Sequence, residues 1–177
     1  MRTREEQEAI NKACKFHPET KEELQELVDD PKVYLGDIDT SNVTDMSDLF
    51  TLSERTNFSG IETWDTSNVT DMSGMFYRCE KFNQNISAWD VSSVKNMRSM
   101  FYACENFKQD LNAWCVREVC YCDKAFYSAG LSYENVKDAF TKEQLLDSHS
   151  EKIIDALNNE KKQVKVQEQK LTKGRGR

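Results

Sequence analysis

A segment of 25 residues is written twice in succession in this chain, and no other feature narrows the fold as far. DTSNVTDMSGMFYRCEKFNQNISAW, from Asp65 to Trp89, is followed without a gap by DVSSVKNMRSMFYACENFKQDLNAW, from Asp90 to Trp114. Val69, Met72, Met75, Phe76, Cys79, Phe82, Ile86 and Trp89 recur as Val94, Met97, Met100, Phe101, Cys104, Phe107, Leu111 and Trp114. Self-similarity at such a period marks an array in which each unit buries its apolar edge against its neighbours only.

The pattern extends beyond the obvious pair. Leu35, Ile38 and Thr40 match Ile61, Trp64 and Thr66, then Ile86, Trp89 and Val91, then Leu111, Trp114 and Val116. Each triplet has the spacing of a short strand entered from a turn, and four of them predict a parallel sheet with neighbours about 4.8 Å apart. Val43, Met46, Leu49 and Phe50, with their counterparts in later units, predict a short helix after each strand. Thr44 and Thr70 stand where an N-cap would serve it. The expected fold is therefore an α/β repeat, a leucine-rich-repeat-like solenoid of about four units. The first unit departs from the pattern at TLSERTNF, with two extra residues before Phe58, and the fourth keeps Val116, Val119, Cys122, Ala125, Phe126 and Ala129 in register.

The flanks read as caps. Residues 3–14 predict a short, peripheral, charged helix. Thr20 with Glu23 forms a capping box ahead of Leu24, Leu27 and Val28, which predicts a second helix over 20–29. Ser132–Phe140 predicts a helix with Tyr133, Val136 and Phe140 inward. Thr141 and Gln144 open a further charged helix reaching at least residue 160, followed by a loose tail from Leu171. The divisions are 1–31 for the N-terminal helices and cap, 32–130 for the repeats, 131–140 for the C-terminal cap, and 141–177 for the charged helix and tail.

Charge narrows the function. The net charge is -7 and the sequence pI about 5.0. Residues 141–177 carry nine Lys or Arg against six Asp or Glu, which leaves about -10 on the rest. An acidic body argues against direct nucleic-acid binding, which needs clustered cations. No apolar run approaches a membrane span. The N-terminal residues do not read as an export leader, so a cytoplasmic protein with reduced thiols is expected, or a surface protein if a leader precedes them.

The wording of the repeat, L-x-x-(I/W)-x-(V/T)-x-x-V-x-x-M-x-x-(M/L)-F-x-x-C-x-x-F, resembles the BspA-like leucine-rich repeats, and WDTSNVTDMSGMFYRCEKFNQNIS resembles a bacterial surface-protein repeat family. The resemblance runs from about Lys32 to Ala129. It implies a right-handed solenoid used for recognition, often as an adhesin, and it supplies no catalytic residues.

Two columns are candidate partner-binding surfaces. Asp39, Asp65 and Asp90 fall between the apolar residues, beside Ser67 and Ser92 and followed by Cys115 and Arg117. Carboxylates stacked at about 5 Å repel by roughly 0.8 kcal/mol per pair even in water. Either the following turn satisfies each Asp, or a cation-bearing partner does. Tyr77, Tyr102 and Tyr127 form the second column, read as cross-repeat packing or as interface anchors. Cys79 and Cys104 read as core. Cys115, Cys120 and Cys122 have the look of a metal cluster but lack a fourth ligand, so no metal and no cofactor are expected.

No enzyme signature is present: there is no phosphate loop, and the two histidines, His17 and His149, lie outside the repeats. The expected function is non-enzymatic recognition of a protein partner. Two alternatives stay open: an acidic decoy filling the basic nucleic-acid channel of another protein, or a structural spacer that self-associates weakly through its C-terminal helix.

Overall fold

The computed structural model describes residues 3–116, 119 and 121–174, with side chains as far as residue 164. Arg117 and Cys120, singled out above, and residues 175–177 of the tail lie outside the described residues.

Helix α1 spans Arg4–Ala13 and starts at a capping box, in which the Thr3 hydroxyl accepts from the Glu6 amide and the Glu6 carboxylate accepts from the Thr3 amide. Helix α2, Lys21–Asp29, is capped by Thr20, but Glu23 turns to the Glu19 amide at 2.8 Å, so only half of the expected box forms. Its apolar stripe is buried at Leu24 and Val28. After the repeats, Thr141 and Gln144 make a full box for α3, Lys142–Asp147. The expected continuous helix breaks at His149, whose φ of 53° leaves the helical region, and α4 runs from Glu151 to Gly174. The segment read as a helix over Ser132–Phe140 holds only a 3₁₀ turn at Tyr133–Asn135, although Val136 and Phe140 are buried as expected.

The repeats correct the fold expectation. Among the described residues there is no strand and no sheet, so the chain is not an α/β leucine-rich-repeat solenoid. Two of the expected strand starts, Leu35–Asp37 and Ile61–Thr63, are 3₁₀ turns. Cross-repeat contact survives as isolated parallel bridges that join Asp45, Asp71, Asn96 and Tyr121 in series. Among the described residues the short helices expected after the strands are absent as well.

The backbone shows why. The amides of Met46, Asp48, Phe50 and Leu52 donate to the carbonyls of Asp71, Ser73, Met75 and Tyr77 at 2.8–2.9 Å. Met72, Gly74, Phe76 and Arg78 donate likewise to Asn96, Arg98, Met100 and Tyr102. An α-helix would return these amides to carbonyls four residues back; here they go to the next repeat. Between the rungs the chain folds into turns. Two positions per repeat take left-handed φ: Asp48, Gly74, Ser99 and Lys124 at 55–62°, and Leu52, Arg78, Ala103 and Ser128 at 52–56°. A residue in that region ends both helix and strand.

Side chains complete the stack. Phe50, Phe76, Phe101 and Phe126 stack through successive repeats with centroids 5.5, 5.6 and 6.2 Å apart. The indoles of Trp64, Trp89 and Trp114 each donate to a carbonyl one repeat back, at Leu35, Ile61 and Ile86. Gly60 has a φ of 94°, and a Cβ there would lie 2.2 Å from the Gly36 amide nitrogen, so the first two repeats meet at a corner only glycine permits.

Left-handed φ costs an L-residue roughly 1–2 kcal/mol. At the exposed positions Leu52 and Arg78 glycine relieves that cost, less what it adds to unfolded-chain entropy. Leu52→Gly and Arg78→Gly are each expected to raise stability by about 0.5–1 kcal/mol, read as a higher urea midpoint. Loss of stability in both would show that these φ values carry no strain.

Candidate interaction surfaces

Each Asp of the first column is tied into its own turn. Oδ1 of Asp39, Asp65 and Asp90 accepts from the amide of Ser41, Ser67 and Ser92 at 3.0–3.1 Å, and the Ser67 hydroxyl adds a bond of 2.7 Å to Asp65. These bonds offset the repulsion along the column. The same device marks two other corners of the repeat, which the sequence reading passed over. Asp45, Asp71 and Asn96 accept from the amides of Ser47, Ser73 and Arg98, and Asn57, Asn85 and Asp110 accept from those of Ser59, Ser87 and Asn112. The available signal was an Asp or Asn at three fixed places per unit, followed two residues later by Ser at all three places in the first two units and at one in the third. Asp therefore recurs first because corners need it.

The second carboxylate oxygens have partners from an unexpected source. Asn11 of α1 donates its amide to Asp65 Oδ2 at 3.1 Å, and His17 Nδ1 lies 3.2 Å from Asp39 Oδ2. Lys15 pairs with Asp37 at 2.5 Å, and Gln7 donates to the Thr63 carbonyl. The helix read as peripheral thus lies along the Asp–Ser face. Neither Asp90 nor the exposed Ser92 takes a hydrogen bond from α1 among the described residues.

The tyrosines form a continuous stack. Tyr77 and Tyr102 have centroids 4.8 Å apart at 16°, and Tyr102 and Tyr127 are 4.9 Å apart at 18°. The first two are half-buried, and Tyr127 is 39% exposed. Each Tyr amide closes a turn onto the carbonyl of Gly74, Ser99 or Lys124, and each Tyr carbonyl takes an amide from the preceding repeat, from Leu52, Arg78 or Ala103. The rings stack face on face, and each keeps part of its surface exposed. Leu52, exposed to 60%, sits one residue past Thr51, which takes the Tyr position in the first repeat. The packing reading and the interface reading of this column are compatible, because packing is what holds the rings rigid.

Cys79 and Cys104 are buried at equivalent positions, and the Cys104 thiol reaches the Cys79 carbonyl at 3.1 Å. Burial pushes the Cys79 thiol up to about 12 and Cys104 also upward, so neither is a ready nucleophile. Cys122 is buried too, and burial, then Asp147 and Asp123, push its thiol up to about 11. Among the described residues no group of three or more His, Cys, Asp or Glu is placed to hold a metal, and no helix is long and apolar enough to cross a membrane.

Arg55 lies in the TLSERTNF departure of the first repeat, where the sequence reading saw only two extra residues. Its guanidinium donates to the carbonyls of Val28, Asp30, Val33 and Asn57. The departure joins α2 to the repeats.

A model of a protein family described as Mycoplasma protein of unknown function, DUF285, matches residues 22–140 of the chain. No curated protein and no solved structure matches it.

Proposed function

We propose, for a chain that belongs to the bacterial repeat family DUF285, a non-enzymatic role in which the stacked repeats recognise a protein partner through the tyrosine column. The observation that carries this reading is the stack of Tyr77, Tyr102 and Tyr127, half exposed and held at both the ring and the backbone level. Rigid aromatic side chains lose little entropy on binding, which is why interfaces favour them. The wording of the repeat, similar to that of BspA-like proteins, supports the same reading. The Asp–Ser face is the weaker candidate, since Asp39 and Asp65 are already engaged within the chain.

Capture from a lysate of the source cell or its host tests this, with the full chain beside a Tyr77→Ala, Tyr102→Ala variant and an Asp65→Lys, Asp90→Lys variant. Loss of a captured protein by at least about tenfold in the tyrosine variant alone is the expected result, as for two interface anchors. Loss confined to the aspartate variant, with binding that collapses in salt, would overturn it in favour of the acidic decoy. A chain that captures nothing but gains mass with concentration would favour the spacer.

A further inference from the structure

We propose that residues 3–13 are a detachable strap: α1 covers the Asp65 end of the Asp–Ser face, closes it in the state seen here, and swings off about Cys14 to open it without unfolding the repeats. This holds whichever surface takes a partner.

The contacts divide sharply at Cys14. No residue of α1 is buried. Its hydrogen bonds to the repeats are side-chain bonds from Gln7 to the Thr63 carbonyl at 3.0 Å and from Asn11 to Asp65 at 3.1 Å. A cleft of about 690 Å³ separates the two, with Arg4, Glu8 and Asn11 on one side and Asp65, Ser67 and Asp90 on the other. A helix of ten residues is marginal in water on its own, so α1 forms here without the packing that normally sustains a helix. Residues 15–17 are held differently. The Phe16 amide donates to Asp37, the Asp39 amide donates to Phe16, and Phe16 packs on the core. Cys14 is extended between the two regimes, with φ -66° and ψ 152°. The strap also shows what the face accepts: Asn11 brings an amide N–H to the Asp65 carboxylate. A segment that replaces the strap must bring N–H donors of the same kind.

The test uses the full chain and a Gln7→Ala, Asn11→Ala variant, followed by amide hydrogen exchange and by carboxyl labelling with a carbodiimide and glycine ethyl ester. Alanine is the better helix former, so faster exchange in α1 reports lost docking and not lost propensity. In the wild type, α1 amides are expected to exchange at least about a hundredfold faster than the ladder amides of Met72 and Met97. The variant should speed α1 by a further factor of about ten, the effect of two lost hydrogen bonds. Asp65 labelling should rise severalfold, while the distant, exposed Asp110 and the ladder amides stay unchanged. Wild-type α1 amides as protected as the ladder would overturn the strap. So would a variant with unchanged α1 exchange, with unchanged Asp65 labelling, or with a ladder that opens together with α1.

Discussion

A Trp89→Ala chain is expected to lose about 4 kcal/mol of stability, the range for truncating a fully buried Trp. Trp89 is 1% exposed, lies parallel to Trp64 with centroids 6.4 Å apart, and is 6.2 Å from Phe76. Removing it opens a cavity in the middle of the array, between the repeats on either side. Its Nε1 donates to the Ile61 carbonyl at 3.0 Å. Trp89→Phe keeps most of the ring and loses that donor, so it should cost about 1–2 kcal/mol. Urea unfolding separates the two, and its slope carries a second result. In a nearest-neighbour array, a weakened central interface lets the halves unfold apart and lowers the slope. A loss below about 1.5 kcal/mol for Trp89→Ala, well under the range for buried aromatics, would mean that the array is not held at this interface.

Arg55→Ala should cost about 3 kcal/mol, because four carbonyls lose their donor at once. Nη1 serves Val28 at 3.0 Å and Asp30 at 3.1 Å, Nε serves Asn57 at 2.7 Å, and Nη2 serves Val33. Val28 and Asp30 stand at the end of α2, where helix carbonyls lack internal partners and a cation meets the negative end of the dipole. Burial pulls the Arg55 pKa down, with Asp30 opposing. Arg55→Lys keeps the charge but not the planar fork, and should recover less than half of the loss. Thermal melting gives the magnitude, and amide exchange gives the place: α2 should lose protection first. A cost under about 1 kcal/mol, no more than a single hydrogen bond, would mean that water replaces the guanidinium without penalty.

The core was legible because burial repeats with the sequence. Val69, Met72, Phe76, Cys79, Phe82, Ile86 and Trp89 are all buried, as are their counterparts from Val94 to Trp114. The capped helix starts at Thr20 and Thr141 were legible too, since an N-cap acts within three residues. Of the candidate surfaces, the Tyr column was visible as a column, and the bonds of Asp65 and Asp90 to the following turn were one of the two readings offered.

Strand and helix within the repeat were not legible. Apolar residues three and four apart suit a helix turn, a 3₁₀ turn or a chain of turns equally well over so few residues. What separates them is where the amides go, and the partners of Met46 and Met72 lie 25 and 24 residues away at Asp71 and Asn96. The same distance hid the two contacts that organise the N-terminal half, Asn11 on Asp65 and Arg55 on α2. By itself the sequence determined which side chains are buried, in what register, and where the corners fall, because hydrophobicity and Asp-Ser turns act locally and recur. Only the tertiary structure decided the backbone path and which face α1 covers, because those depend on hydrogen bonds whose two ends meet after the repeats have stacked.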